Sequence, residues 1–298
     1  MSEQGAAREV DRRPTAVQVD EEAIRVIDLA LDEDQGSGDW TSRWTVNART
    51  RAQAEIVAKA SGVLAGVAPA LAVFSRLDPR VEGEAHVADG QQVGPGMRVA
   101  SLAGPARVVL TGERVALNLL QHLSGVATLT RMFVEAVEGT STRILDTRKT
   151  MPGMRGLEKG AVRAGGGNNH RFGLFDMVLI KDNHLAIAGG LAEAVSRVRE
   201  QNTRGLRIEV EIRSLEELEI ALEVDVDRIL LDNMPVDMMR AAVKRVKRRR
   251  YGPVIEASGN VNLQNVRAIA ETGVDEISIG ALTHSAPALD FSLRIALP

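Results

Sequence analysis

The chain contains no cysteine among its 298 residues. This absence excludes a disulfide framework, a zinc site built from thiolates and a cysteine nucleophile. Freedom from disulfides is typical of a reducing compartment, so the sequence predicts a cytoplasmic protein. Any nucleophile, metal ligand or proton donor must come from other residue types.

The chain also lacks a large excess of charge and any long apolar run. Its 37 lysines and arginines against 40 aspartates and glutamates give a net charge of −3, so no global field favours nucleic acid or an anionic membrane. No segment approaches the roughly 20 apolar residues that a membrane-spanning helix needs. The mixed charges of residues 1–20 predict a flexible tail rather than a signal peptide. We therefore predict neither a membrane nor a nucleic-acid partner.

Hydrophobic residues make up 44% of the chain, which is ordinary for a globular protein with one large barrel or two domains. Helical spacing of apolar residues predicts a helix over residues 21–31. Short segments separated by glycines predict a small sheet over residues 52–103. A long helical pattern follows over residues 112–137, and we place the join between two domains there.

From residue 143 onward, strand-like and helix-like segments alternate. Parallel strands with right-handed helical crossovers give this pattern, in a barrel or in a doubly wound sheet. No GxGxxG motif follows the first strand, so we favour the barrel. The predicted strands are residues 143–147, 177–181, 208–211, 228–232, 254–258 and 276–280, and the predicted helices are residues 191–201, 215–224, 236–249 and 263–272.

Polar or glycine residues close each of these predicted strands. In βα barrels the catalytic groups project from the carboxyl ends of the strands, so we expect these residues at one mouth. One such residue alone is more often a solvated loop residue or a helix cap, but the recurrence favours a shared site. The residues are Arg148, Lys149, Lys181, Glu211, Asp232, Ser258, Gly259 and Gly280.

The stretch from residue 143 to residue 184 is locally cationic, with eight lysines and arginines against four acids. It contains the glycine triplet 165–167, followed closely by His170 and Arg171. Glycines let backbone N–H groups approach a ligand, and a guanidinium binds a carboxylate or a phosphate through paired donors. This stretch therefore predicts a site for an anionic, phosphate-bearing substrate.

Two carboxylates, Glu211 and Asp232, end neighbouring predicted strands and face this cationic stretch. Carboxylates together with substrate phosphates suit Mg²⁺, and carboxylates also accept hydrogen bonds from ribose hydroxyls. The residues alone leave these two roles open, together with simple ion pairing to Lys181 or Arg148.

Two other features receive a simpler interpretation. The basic run of residues 244–250 ends a predicted helix, where cations complement the helix dipole, and it lacks interleaved aromatics. We interpret it as a solvated surface. His170 and His184 have neither HxxxH spacing nor cysteine beside them, so we expect no zinc site.

Motifs along nearly the whole chain closely resemble those of the quinolinate phosphoribosyltransferase family. They include the segments 36–39 (GSGD), 62–66 (GVLAG), 146–150 (DTRKT), 169–171 (NHR), 179–184 (LIKDNH), 256–260 (EASGN) and 278–284 (SIGALTH). Met151, where threonine is expected, and Asn260, where glycine is frequent, depart from the family pattern without removing a charge. The resemblance covers all but the N-terminal tail.

The resemblance implies an open, incomplete α/β barrel of TIM-like type over residues 126–285. An N-terminal α/β sandwich would span residues 21–125 and be joined by the C-terminal segment 286–298. It implies transfer of phosphoribosyl from phosphoribosyl pyrophosphate to quinolinate with Mg²⁺, giving nicotinate mononucleotide, pyrophosphate and CO₂ on the de novo route to NAD. It also implies a head-to-tail homodimer.

The resemblance further implies roles for individual residues. Arg148, His170, Arg171 and Lys181 would hold the quinolinate carboxylates, with Arg114 reaching in from the partner subunit. Glu211 and Asp232 would serve the ribose hydroxyls and Mg²⁺. Our own mechanistic hypothesis adds Lys149 or Lys181 as the proton source after decarboxylation. The remaining predicted substrate-binding residues, most of them for the phosphates, are Thr147, Lys149, Ser258, Gly259, Asn260, Ser278, Ile279 and Gly280.

Three alternatives compete with this interpretation. Lys181 at a strand end also fits a Schiff-base sugar-phosphate aldolase. The basic run of residues 244–250 fits a nucleic-acid or scaffold protein. The third alternative is a related phosphoribosyltransferase that has changed its substrate. In such a protein, the arginines that bind the carboxylates, here Arg114, Arg148 and Arg171, should differ.

Overall fold

The computed structural model describes residues 19–296, so all but the last two residues of the predicted tail, 1–20, lie outside the described residues. The helices are α1 (Glu21–Gln35), α2 (Trp40–Thr45), α3 (Val67–Leu77), α4 (Ala106–Ala136), α5 (Arg155–Ala164), α6 (Asp182–Ala188), α7 (Leu191–Gln201), α8 (Leu215–Glu223), α9 (Val236–Val246), α10 (Val266–Ala270) and α11 (Ala281–His284). The strands are β1 (Arg51–Ala58), β2 (Gly62–Val63), β3 (Glu82–Ala85), β4 (Gln92–Val93), β5 (Arg98–Pro105), β6 (Arg143–Leu145), β7 (Val178–Ile180), β8 (Ile208–Ile212), β9 (Arg228–Asp232), β10 (Val254–Ser258), β11 (Glu276–Ser278) and β12 (Phe291–Ala296).

Helix α1 begins at an aspartate that caps it and ends at a glycine. The Asp20 carboxylate accepts a hydrogen bond from the Ala23 N–H at 2.8 Å, which caps the first turn. The helix continues four residues past the predicted end and stops at Gly36, whose φ of 47° is left-handed. Ile27 and Leu31 bury its apolar face.

An antiparallel sheet in the order β12-β1-β5-β3 forms the first layer. Strand β12 comes from the end of the chain and pairs along β1, from Gln53 opposite Ala296 to Ala58 opposite Phe291. Helices α1, α3 and α4 share one hydrophobic core with this sheet. Helix α3 lies inside the region that we predicted as sheet alone, so that part of the prediction is wrong.

The long helix α4 connects the two halves of the molecule. Its residues Leu117 and Leu120 belong to the core beneath the antiparallel sheet, whereas Leu123 and Phe133 belong to the core of the second sheet. The helix is continuous through Gly125, where a Cβ would lie 2.2 Å from the Pro287 carbonyl oxygen. The change of core therefore occurs within a helix rather than in a linker.

The second sheet is six-stranded and parallel, in the order β6-β11-β10-β9-β8-β7. Its register places Ser258 beside Asp232 and Ser278 beside Leu145, which aligns the carboxyl ends of the strands. The helices between the strands cover it, as βαβ crossovers require. No helix within residues 19–296 combines the length and apolarity needed to cross a membrane.

Candidate functional site

One pocket collects the residues that follow the six parallel strands. It lies at their carboxyl ends and encloses about 680 Å³. Loops that are distant in the chain meet there because parallel strands end on the same edge of a sheet. The predicted site residues that line it are Thr147, Arg148, Lys149, His170, Arg171, Lys181, Glu211, Asp232, Ser258, Gly259, Asn260, Ser278, Ile279 and Gly280.

Arg114 is the predicted binding residue that does not line this pocket. It is exposed on α4 and lines a separate groove of about 240 Å³ together with Glu33, Asp34 and His122. The role that the resemblance implies for Arg114 therefore requires a second copy of the chain.

The glycine triplet 165–167 does not bind a ligand in the way that we predicted. The N–H groups of Gly165, Gly166 and Gly167 donate to carbonyls of α5 at 2.9 to 3.0 Å, so the helix end uses all of them. A Cβ at Gly165 would lie 2.4 Å from the Ala127 carbonyl oxygen. These glycines let the end of α5 pack closely against α4, and the prediction of an anion-binding loop there is wrong.

Three cations face the pocket without an acidic partner. Within residues 19–296, Arg148, Lys149 and Arg171 form no salt bridge. The Arg148 Nε atom is buried and has no hydrogen-bond acceptor. Burial and then the neighbouring Arg148 guanidinium lower the pKa of Arg171, and the charges of Glu209 and Asp176 only partly oppose this shift. An anionic ligand would supply the missing partners.

Two basic and three acidic side chains form a network of ion pairs at the mouth of the pocket. The Lys181 ammonium donates to Glu211 Oε2 at 2.9 Å. Arg213, which lies directly after β8, donates through Nε to Asp232 Oδ2 at 3.0 Å. Its Nη2 atom lies 3.1 Å from Asp182 Oδ2 and 3.7 Å from Glu211 Oε1. Both carboxylates that we predicted for Mg²⁺ are therefore ion-paired.

Beneath the pocket lies a buried charged cluster. The carboxylates of Glu209 and Glu256 are fully buried and converge on Arg228, with distances of 3.3 Å to its Nε and 2.7 Å to its Nη2. On the pocket side, His170 Nε2 lies 3.1 Å from Glu209 Oε2 and 3.2 Å from Glu256 Oε2. Burial followed by the charge of Glu256 raises the pKa of Glu209. His170 is thus held by the cluster.

The contacts of the two ring nitrogens of His170 favour different protonation states of the imidazole. Burial alone would lower the pKa of His170, but its close contacts with the carboxylates of Glu209 and Glu256 outweigh burial and raise the pKa to about 9. The Arg171 N–H donates to His170 Nδ1 at 2.7 Å, and that contact requires an unprotonated Nδ1. The imidazolium can form only if this contact opens. These two contacts have opposite effects on protonation of the ring. We expect the raised pKa, because the charges of two carboxylates outweigh one local hydrogen bond to Nδ1.

We expect His170 to titrate well above its ordinary value of 6.5. Because the folded pKa is raised, the stability contributed by the protonated ring is complete below 6.5 and is lost as the pH rises through about 9. NMR titration of the histidine Cε1–H signals measures the pKa, and thermal unfolding of the wild type and His170→Gln measures the linkage. A pKa at or below the ordinary value would show that the Arg171 contact dominates.

A buried ion pair positions two of the pocket's loops. Lys159 Nζ lies 2.5 Å from Asp146 Oδ1 and donates to the His170 carbonyl at 3.0 Å. Asp146 also accepts from the Asn169 amide and from the His170 N–H, at 2.5 and 2.9 Å. The pair therefore ties the loop after β6, with Arg148, to the loop that carries Arg171.

The turn after β10 offers free backbone donors. Gly259 has a φ of 94° and Asn260 a φ of 49°, and a Cβ at Gly259 would lie 2.3 Å from Asn233 Oδ1. In the part of the chain that the structure describes, the N–H groups of Gly259 and Asn260 have no acceptor. Such a turn suits an anion.

Sequence reasoning missed several residues of the pocket. Glu256 and His284 lie within motifs that carried the resemblance, and Asn233 directly follows the predicted site residue Asp232, so a signal for all three existed. Arg213 contacts the pocket residue Asp232 without lining the pocket itself, and the sequence carried no signal for it, because an arginine after a strand is usually an ordinary surface residue. The basic run of residues 244–250 closes α9 and does not line the pocket. Five of its residues, 244 and 247–250, are exposed, which agrees with a solvated surface. Together these features define an α/β protein with a cationic pocket at the ends of its parallel strands, which is the place where α/β enzymes bind small molecules.

Family comparisons narrow this class. Residues 39–124 match the family model described as quinolinate phosphoribosyl transferase, N-terminal domain, and residues 126–294 match that of the C-terminal domain. The chain therefore belongs to the quinolinate phosphoribosyltransferase family. The family match leaves the aldolase alternative without support, and the ion-paired Lys181 ammonium also disfavours it, because a Schiff-base nucleophile must be unprotonated.

The chain also matches individual relatives over nearly their full length. A probable nicotinate-nucleotide pyrophosphorylase [carboxylating] of Synechocystis is 48% identical over 89% of this chain and 90% of the relative. Its Bacillus subtilis counterpart is 45% identical with the same coverage. Among solved structures, NadC from Streptococcus pyogenes has a TM-score of 0.88 at 38% identity, covering 93% of this chain and 97% of that chain.

Proposed function

We propose that this chain transfers phosphoribosyl from phosphoribosyl pyrophosphate to quinolinate with decarboxylation. The products are nicotinate mononucleotide, pyrophosphate and CO₂, and the reaction belongs to NAD biosynthesis. The family match and the names of the relatives support this function. The observation that carries it is the set of three pocket cations without acidic partners within residues 19–296, with Arg148 Nε buried and unpaired. A dianionic pyridine and a polyanionic sugar pyrophosphate need such a lining.

The two substrates are assigned to different parts of the pocket. Arg148, Arg171 and Lys181 hold the quinolinate carboxylates, since guanidinium groups bind carboxylates through paired donors. His170 orients the Arg171 loop, because both of its ring nitrogens already face protein groups. Lys149 and the turn at Gly259 hold the phosphates, supported by the unpaired N–H groups of that turn. Ser258, Asn260, Ser278, Ile279 and Gly280 complete this part of the pocket.

The reaction needs no protein nucleophile. The pyridine nitrogen attacks the anomeric carbon as pyrophosphate leaves, and Glu211 and Asp232 stabilise the positive charge that develops on the ribose. The departing CO₂ leaves a ring carbanion beside the quaternary nitrogen, and a lysine ammonium protonates it. Lys149 and Lys181 both line the pocket, and Lys149 is the one without a salt bridge in the described part of the chain.

Mg²⁺ fits the chemistry of this site. Glu211 and Asp232 offer carboxylate oxygens at the mouth of the pocket, and hard cations prefer oxygen ligands combined with substrate phosphates. When bound, Mg²⁺ would neutralise charge on the leaving pyrophosphate. Arg213 and Lys181 now occupy these carboxylates, so the cation must share them or displace a side chain.

Assembly and location are further parts of the proposal. A head-to-tail homodimer would bring Arg114 of one protomer to the pocket of the other, which is supported by the separation of Arg114 from the pocket within one chain. We also propose that the parallel sheet is an open, TIM-like barrel with β6 and β7 at its gap, beside an N-terminal α/β sandwich that β12 completes. The absence of cysteine supports a cytoplasmic location.

An assay of pyridine consumption tests the function. Purified protein is incubated with phosphoribosyl pyrophosphate and Mg²⁺, with quinolinate in one reaction and nicotinate in another. Nicotinate mononucleotide from quinolinate alone is the expected result. Product from nicotinate at equal rate would contradict the role of the second carboxylate, and no product from either would overturn the proposal.

A further inference from the structure

Arg213 connects three acidic residues at the mouth of the pocket. They come from three different elements: Asp182 begins α6, Glu211 lies in β8, and Asp232 ends β9. The guanidinium lies 3.0 Å from Asp232 and 3.1 Å from Asp182, and the Arg213 side chain is 58% exposed. An ordinary surface pair joins one acid to one base, whereas this arginine sits where three negative charges converge.

With Arg213 in place, all four oxygens of the two carboxylates that face the pocket have a polar or charged neighbour. Glu211 Oε2 is taken by Lys181 at 2.9 Å, and Glu211 Oε1 faces Arg213 at 3.7 Å. Asp232 Oδ2 accepts from Arg213, and Asp232 Oδ1 accepts from the Asn233 amide at 2.9 Å. A divalent cation bound to these oxygens would therefore lie next to the positive charge of Arg213.

We propose that Arg213 is a displaceable internal counter-ion that keeps free divalent metal off Glu211 and Asp232. Metal then enters together with the phosphates of the substrate, whose negative charge offsets the guanidinium. Exposure lets the side chain move away, because an exposed salt bridge is held only weakly. This inference rests on the metal role of Glu211 and Asp232 in the proposed function, and it adds Arg213 as a residue that determines when metal binds.

Titration of the substrate-free protein with Mn²⁺, followed by the EPR signal of the free ion, tests the proposal. Arg213→Met keeps an unbranched apolar stem and removes the charge, so we expect it to bind Mn²⁺ about tenfold more tightly than the wild type, because one repulsive charge near the ion is gone. Arg213→Lys should bind Mn²⁺ nearly as weakly as the wild type. The matched control is Arg197→Met, which removes an exposed arginine paired to Glu193 on α7.

A second substitution locates the gain in affinity. Adding Asp232→Asn to Arg213→Met should abolish the gain, since it removes one ligand charge. Equal Mn²⁺ affinity of the wild type and Arg213→Met would overturn the proposal, as would a gain that survives Asp232→Asn. If Arg213→Met does not fold, Arg213→Gln gives the same comparison. The titration contains no substrate, so its outcome is separate from that of the activity assay.

Discussion

Lys159→Met is expected to lower the free energy of unfolding by about 3 to 5 kcal/mol, because it leaves a carboxylate buried without its cation. The side chains of Lys159 and Asp146 are 2% and 0% exposed, and they lie 2.5 Å apart. Burial raises the pKa of Asp146 and lowers the pKa of Lys159, while their mutual attraction opposes both shifts. Urea unfolding followed by circular dichroism measures the loss.

The pH dependence of this loss identifies its cause. In Lys159→Met, protonation of Asp146 removes the uncompensated charge, so the difference from the wild type should shrink as the pH falls. Arg197→Met is the matched control, since an exposed i,i+4 pair contributes only about 0.3 to 0.5 kcal/mol. A loss no larger than that of the control would mean that the buried pair does not hold the loops of Arg148 and Arg171 together.

The second half of the fold follows closely from the sequence. Helix α7 and strands β9 and β10 have the predicted bounds, because alternating apolar strands and amphipathic helices carry their own periodicity. Helix α3 was missed for the opposite reason. Seven of its residues are buried, including Pro69 and Phe74, so its sequence has no polar face to reveal a helical period.

The residues of the candidate site that follow the strand ends could be predicted from the sequence. The buried charged residues beneath them could not, because their contacts depend on how the strands pair. Glu209 and Glu211 are two apart in β8, so they point to the same side of the sheet, one below the other. Pairing of β8 with β9 places Glu209 opposite Arg228, and pairing of β10 with β11 places Glu256 opposite Glu276. No local pattern specifies this register, and the buried cluster under His170 therefore appears only in the structure.

Arg148→Met is expected to reduce kcat/KM for quinolinate by about 30-fold or more, because truncating one partner of a buried, hydrogen-bonded charge pair costs about 2 to 5 kcal/mol. The Arg148 Nε atom is buried without an acceptor, so the substrate carboxylate would be its first partner. Steady-state kinetics with quinolinate varied at saturating phosphoribosyl pyrophosphate, and then the reverse, measure the effect. Arg148→Lys should recover only part of the activity, since an ammonium cannot form the paired contact.

The pattern of the loss distinguishes the two anions that share the pocket. If Arg148 holds a quinolinate carboxylate, the KM for quinolinate rises and the KM for phosphoribosyl pyrophosphate stays nearly constant. A rise confined to phosphoribosyl pyrophosphate would assign Arg148 to a phosphate instead. Lys244→Met removes a positive charge from the exposed end of α9 and should leave both constants unchanged. Equal losses in Arg148→Met and Lys244→Met would mean that overall charge, and not the buried guanidinium, governs substrate binding.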